Sequence, residues 1–122
     1  MPTLLFAYGT LAPESPETAA RRGWEPDQVR GRLYDLYPLP ALADLDGPEA
    51  GWVEGYVRPV SAYDLSGRLD TYEGVGEGLY RRALTTTRAG RRVWLYVYAR
   101  PLPPKARGPI TRWDGPRVVV LP

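Results

Sequence analysis

Two short segments, about sixty residues apart, carry groups that could do chemistry together. The first is Tyr8-Gly9-Thr10-Leu11, and the second is the stretch 69–74, in which Gly74 follows Glu73. A strand that ends at a glycine leaves backbone N–H groups free to bind an anion. A nearby carboxylate can act as a general acid or base. If the segments meet in the fold, they predict a site for chemistry on a small carboxylate-bearing molecule.

Glu73 is expected where a short helix ends, because Gly74 follows it and Leu69 and Tyr72 precede it at helical spacing. A carboxylate at a helix C-terminus faces the negative end of the helix dipole, which raises its pKa. Burial beside Tyr72 and Tyr80 would raise the pKa of Glu73 further. A glutamate placed against its local preference is a candidate for function. The alternative is a surface glutamate that happens to precede a helix-ending glycine.

The other candidate residues each have a plain structural alternative. The segment 8–11 could be an ordinary strand-to-loop turn. Tyr80 opens a predicted strand and could give its hydroxyl to the same pocket, or it could pack in the core. Packing is also the alternative for four further aromatic residues, Tyr34, Tyr56, Trp94 and Tyr96. Glu77 lies in the glycine-rich stretch 74–78 and is expected to be solvated, so it ranks below Glu73.

The composition excludes several kinds of catalyst. The 122 residues include no histidine and no cysteine, which excludes a Ser-His-Asp triad, a thiolate nucleophile and any His- or Cys-based metal site. No clustered Asp/Glu loop supports a carboxylate-only cation site, so we predict no metal. A catalyst must therefore be a carboxylate, a hydroxyl, an arginine, the backbone or Lys105, the single lysine. The length predicts one domain over residues 1–122.

The N-terminus has no basic region and no long apolar run, and no stretch reaches the ~20 apolar residues that a membrane span needs. We therefore expect a cytoplasmic protein with no membrane partner. Residues 1–60 carry five Arg and nine Asp/Glu, a balance of −4, whereas residues 61–122 carry ten Arg, one Lys and five Asp/Glu, a balance of +6.

The basic second half could attract an anionic substrate or a nucleic acid. Five arginines flank one predicted hairpin, Arg81, Arg82, Arg88, Arg91 and Arg92, with Trp94 and Tyr96 beside them. A solvated arginine-rich face that prevents edge pairing between chains is the favoured interpretation. A nucleic-acid partner is therefore not expected. Nothing in the sequence specifies an oligomeric state.

The hydrophobic pattern predicts many strands and few helices. Strands are predicted at 4–8, 28–36, 52–60, 79–88, 91–100 and 117–121, helices at 16–22 and 62–72, and loops at 41–51 and 101–109. Ser15-Pro16-Glu17 is a helix-start signature. The order does not follow a regular βαβ alternation. It favours an α+β fold, with a mixed sheet curled into a small β-barrel and short flanking helices.

Taken together and in order, these motifs resemble the gamma-glutamylcyclotransferase-like family, also called the AIG2-like family. The resemblance spans about residues 3–100 and rests on segments 8–11, 31–33 with 37–38, 69–74 and 79–82. It implies a small mixed β-barrel with short helices. It also implies that Tyr8, Gly9, Thr10 and Leu11 bind substrate through backbone amides, that Glu73 is catalytic, and that Tyr80 lies near the pocket.

The chemistry implied by the resemblance is intramolecular and needs no cofactor. The α-amino group of a small γ-glutamyl substrate attacks its own γ-carbonyl carbon, 5-oxoproline forms, and an amine or amino acid leaves. Glu73 would take a proton from the α-ammonium group and deliver one to the leaving nitrogen.

The resemblance leaves the substrate open among γ-glutamyl amino acids, γ-glutamylamines such as γ-glutamyl-lysine, glutathione and γ-glutamyl-protected intermediates. The short chain and the Tyr-Gly-Thr-Leu form favour the γ-glutamylamine type. The alternative function is a non-catalytic module that binds a small carboxylate. Glu73 favours the enzyme, because a binder of an anion gains nothing from a nearby carboxylate.

Overall fold

The computed structural model describes residues 3–117. Its strands are β1 (Thr3–Ala7), β2 (Glu25–Asp35), β3 (Pro40–Ala43), β4 (Gly51–Val60), β5 (Tyr80–Thr86), β6 (Arg92–Tyr98) and β7 (Arg107–Ile110). Its helices are α1 (Pro16–Arg21), α2 (Ala62–Asp64) and α3 (Asp70–Tyr72), and a π-helical segment, Leu65–Leu69, joins α2 to α3. Within the described range, no helix is both long enough and apolar enough to cross a membrane.

The strands form one mixed sheet in the order β3-β2-β4-β1-β6-β5, with β7 paired to β2. β1 lies parallel to β6 and antiparallel to β4, and the other pairs are antiparallel. No ladder joins β3 to β5 within residues 3–117, so the sheet is not closed. It does curl: the Arg88 N–H donates to the Gln28 carbonyl at 2.8 Å, and the Tyr80 hydroxyl donates to the Pro40 carbonyl. The predicted α+β fold with a mixed sheet is confirmed.

The core lies on both faces of β1, as the apolar run at 4–8 predicts. On one face Phe6 packs with residues of β2, β4 and β6, and with Trp113. On the opposite face Leu5 and Ala7 pack under the helices, against Leu65 and other residues. The segment 8–11 directly follows this central strand and therefore lies at the edge of both cores.

The two predicted helices are present. Ser15 caps α1 by accepting a hydrogen bond from the Thr18 N–H at 3.1 Å. The chain is helical throughout 62–72, but the π-helical turn was not predicted. A π turn contains an extra residue and so shifts the later side chains around the helix. Leu65 and Leu69 are buried as predicted, whereas Tyr72 is 39% exposed.

Two short strands lie where loops were predicted. β3 falls within 41–51 except for its first residue, and β7 overlaps 101–109. Each has only four residues and contains a proline, so its sequence alone carries little strand signal. Their pairing with β2, through Leu33 to Leu42 and to Ile110, makes them strands. Of the strand predicted at 117–121, Arg117 lies outside any strand, and 118–122 lie outside the described residues.

Candidate active site

The two candidate segments from the sequence, 8–11 and 69–74, meet in a small recess at the end of β1. Residues 5–11 line it, together with Pro40, Glu73 and Tyr96. Its volume is about 20 Å³, room for one water-sized group. The Glu73 carboxyl therefore lies in the same recess as the loop 8–11.

Glu73 is positioned by the end of α3. Its N–H donates to the Leu69 carbonyl at 2.9 Å, and Gly74 then takes a φ of +68° that lets the chain leave the helix. The glutamate is partly buried, and this burial raises its pKa to about 7. The direction agrees with the sequence-based expectation, and removal from water is the cause. A carboxyl with this pKa can exchange a proton near neutral pH.

Gly9 places the loop against β3. A Cβ built on Gly9 would lie only 2.4 Å from Cγ of Pro40, so only glycine fits between them. The Gly9 carbonyl accepts a hydrogen bond from the Ala12 N–H at 2.9 Å, which closes a turn. Across residues 3–117, the N–H groups of Gly9, Thr10 and Leu11 have no hydrogen-bond acceptor. Three free donors in succession can form a cradle for an anion.

The two tyrosines predicted for the site are both buried. The Tyr8 hydroxyl donates to the Tyr96 carbonyl, and the Tyr80 hydroxyl donates to the Pro40 carbonyl. Burial raises the pKa of both tyrosines, and the negative charge of Glu73 raises it further. Tyr8 lines the recess, whereas Tyr80 is not among the lining residues and contacts one of them, Pro40, through its hydroxyl. Both hydroxyls are thus neutral and already donate to backbone carbonyls.

Tyr96 and Pro40 line the recess but were not identified as site residues from the sequence. The Tyr96 hydroxyl donates to Oδ1 of Asp70 at 2.7 Å, and Oδ2 of Asp70 lies 3.4 Å from Arg82. Burial raises the pKa of Tyr96, followed by its hydrogen bond to Asp70. The sequence held one signal, and it concerned Asp70, the hydrogen-bond partner of Tyr96. Asp70 stands three residues before Glu73, so the two lie one helical turn apart.

The arginine-rich hairpin has partners within the protein. Arg82 stacks on Trp94, its guanidinium carbon 5.0 Å from the ring centroid. Arg88 stacks on Trp52, also at 5.0 Å, and Arg91 pairs with Glu25 at 2.7 Å.

Within the described range, no three His, Cys, Asp or Glu side chains are grouped so that they could hold a metal ion.

The fold and the site define a class: a small α+β domain with a mixed sheet and a site that combines free backbone N–H groups with a partly buried carboxyl. The chain belongs to a family of this class, Gamma-glutamyl cyclotransferase, AIG2-like, whose model matches residues 5–115. The resemblance seen in the sequence motifs is thereby confirmed.

Two solved structures are similar to this chain. YkqA from Bacillus subtilis is 21% identical with a TM-score of 0.59, and the match covers 80% of this chain and 36% of YkqA. This chain therefore spans about a third of YkqA, and the likeness shows the fold. A structure described as a gamma-glutamyl cyclotransferase is 19% identical with a TM-score of 0.45, covering 80% of this chain and 67% of that one. No curated protein matches the sequence.

Proposed function

We propose that the protein is a cofactor-independent cyclotransferase that converts a γ-glutamyl amine or γ-glutamyl amino acid to 5-oxoproline and releases the amine. Membership of the family supports the reaction class. The observation that carries the proposal is the position of Glu73, whose carboxyl has a pKa of about 7 and shares the recess with loop 8–11.

In the proposed reaction, Glu73 accepts a proton from the substrate's α-ammonium group. The freed amine attacks the γ-carbonyl carbon, so that a new C–N bond closes the five-membered ring. The bond from that carbon to the leaving nitrogen then breaks, and Glu73 returns the proton to the leaving nitrogen. The attacking nitrogen, which becomes the ring N–H of 5-oxoproline, gives its second proton to solvent. A single carboxyl whose pKa lies near neutral pH can perform both proton transfers of Glu73.

The free N–H groups of Gly9, Thr10 and Leu11 are the proposed donors to the substrate oxygens. Negative charge develops on the γ-carbonyl oxygen as the ring closes, and fixed backbone donors stabilise such charge because they need no reorganisation. The recess admits about one water-sized group. That is room for the γ-carbonyl oxygen, so we place this oxygen in the recess and the rest of the substrate outside it.

Release of 5-oxoproline tests the proposal. The wild-type protein is incubated with γ-glutamyl amino acids, γ-glutamyl-lysine and glutathione, beside Glu73→Gln and a matched control, Glu77→Gln. Glu77 lies on the exposed loop four residues away, so its replacement should leave turnover unchanged. We expect Glu73→Gln to lower kcat by at least about 100-fold, as for removal of a general acid–base.

Full activity in Glu73→Gln would overturn the role of that residue. Failure of the wild-type protein to release 5-oxoproline from any of these substrates would overturn the proposed reaction. In that case, calorimetric binding of 5-oxoproline or glutamate would favour the non-catalytic binding module.

A further inference from the structure

Arg117 contacts the candidate substrate-binding loop 8–11 at Gly9. Its Nη1 donates to the Gly9 carbonyl at 2.6 Å. Arg117 lies two residues beyond the stretch 5–115 that matches the family model, so this contact is outside the matched region. Arg117 and Tyr8 both line a groove of about 770 Å³.

The contact fixes the direction of one peptide group. The Gly9–Thr10 peptide is trans, since the cis bonds of the described chain are those before Pro38 and Pro109. In a trans peptide the C=O and the N–H point in opposite directions. Arg117 and the Ala12 N–H together hold the Gly9 oxygen on one side. The Thr10 N–H must therefore point to the other side.

Arg117 is itself held firmly. Its Nη2 donates to the Trp113 carbonyl at 2.8 Å, and its guanidinium carbon lies 5.3 Å from the centroid of the Trp113 ring. Trp113 is 1% exposed, and its ring nitrogen donates to Oδ1 of Asp35 at 3.0 Å. Burial lowers the pKa of Arg117, and no carboxylate of residues 3–117 lies within ion-pair distance of it. The cation is thus committed to two backbone carbonyls.

We propose that Arg117 is a positioning residue, which holds the Gly9 carbonyl so that the Thr10 N–H faces the Glu73 recess. The inference rests on the proposed function, in which that N–H stabilises the developing oxyanion. Loss of the Arg117 side chain leaves the Thr10 N–H in place but no longer oriented toward the recess. Such a defect lowers kcat more than it raises KM, because the orientation matters most in the transition state.

The kinetic test compares Arg117→Ala with Arg112→Ala. Arg112 lines the same groove but pairs with the exposed Asp114 at 3.0 Å, so it controls for loss of a groove arginine. On whichever γ-glutamyl substrate the wild type turns over, we expect Arg117→Ala to lower kcat about tenfold, with KM changed less than threefold. The pH midpoint of kcat/KM should stay unchanged. Arg112→Ala should behave as wild type.

Chemical rescue separates positioning from general loss of structure. The groove is open to solvent and large enough for free guanidinium ion, which can take the place of the missing side chain. We expect about 10–50 mM guanidinium chloride, far below denaturing concentrations, to restore several-fold of the kcat of Arg117→Ala. The same salt should not raise the kcat of wild type or Arg112→Ala. Equal kcat in the two variants, or no rescue in a folded Arg117→Ala protein, would overturn the proposal.

Amide NMR tests the contact even if no substrate is turned over. In ¹⁵N-labelled protein, Arg117→Ala should shift the amide resonances of Gly9, Thr10 and Leu11, and Arg112→Ala should not. Unchanged loop resonances in Arg117→Ala would overturn the positioning role. Shifted resonances with an inactive wild type would instead uphold the contact and overturn the proposed reaction.

Discussion

The hydroxyl of Tyr72 donates a hydrogen bond to Oγ1 of Thr10 at 3.2 Å, across sixty-two positions of the chain. Thr10 belongs to the loop with the free N–H groups, and Tyr72 is the residue before Glu73. The bond therefore ties the end of α3 to the loop directly. It is available because the π-helical turn brings Tyr72 out of the buried stripe of Leu65 and Leu69.

Removing this hydroxyl should loosen the loop without disturbing the base. We expect Tyr72→Phe to lower the free energy of unfolding by about 0.5–1 kcal/mol, the usual net worth of one hydrogen bond. The KM of any substrate turned over should rise two- to fivefold, with kcat less affected. Tyr63→Phe is the control, because Tyr63 lies in α2, at the other end of the same helical segment, and is 85% exposed. Identical kinetics and stability in the two variants would contradict a link between Tyr72 and the loop.

The pH dependence of turnover should follow Glu73. A general base works only when deprotonated, and burial raises the pKa of Glu73 to about 7. We therefore expect kcat/KM to rise between pH 5 and 8, with a midpoint near 7, in assays of 5-oxoproline release. A midpoint near 4.5, the value for an exposed glutamate, would show that the essential base lies elsewhere.

The same burial predicts that Glu73→Gln stabilises the protein at neutral pH. Because the pKa of Glu73 is raised in the folded state, that state binds more protons than the unfolded chain between pH 4.5 and 7. The stability contributed by this carboxyl is thus greatest below pH 4.5 and is lost as pH rises through about 7. Glutamine carries no charge and avoids this loss.

Urea unfolding of wild type and Glu73→Gln at pH 5 and pH 8 measures the effect. The variant should be more stable at pH 8 by at most about 3 kcal/mol, since each unit of pKa shift is worth about 1.4 kcal/mol and the side chain is only partly buried. At pH 5 the difference should fall to about a quarter of the value at pH 8, because the unfolded carboxyl is still partly protonated there. An advantage that is equal at both pH values would mean that charge burial is not the cause.

Local sequence signals predicted the parts of the site that depend on local structure. Gly9 after an apolar strand and Gly74 after a helical stretch mark the turns, and the turns place Glu73 and the loop. Tyr96 and Pro40 reach the recess only through the order of the strands. β6 lies parallel to β1, and the sheet curls so that β3 comes to the end of β1. A single sequence carries no direct signal for either arrangement.

The strand β3 shows that the fold, too, contains elements for which a single sequence carries no direct signal. Pro40 and its neighbours look like a loop after a proline-rich break, yet they pair with Tyr34 and Asp35 of β2. The strand is defined by its partner, and the partner is found only in the folded sheet. The helix 62–72 shows the opposite case, because a capping serine at 61 and a buried leucine stripe encode it locally.

Replacing Gly9 with alanine tests whether β3 sets the shape of the loop. The added Cβ would lie 2.4 Å from Cγ of Pro40, closer than such atoms approach, and a proline ring cannot swing aside. Either the loop or β3 must shift, so we expect Gly9→Ala to destabilise the protein by about 1–3 kcal/mol and to lower kcat/KM at least tenfold. Gly76→Ala is the matched control, since no atom lies within 4 Å of its built Cβ. If thermal unfolding and turnover are the same in the two variants, the contact between Gly9 and Pro40 does not shape the site.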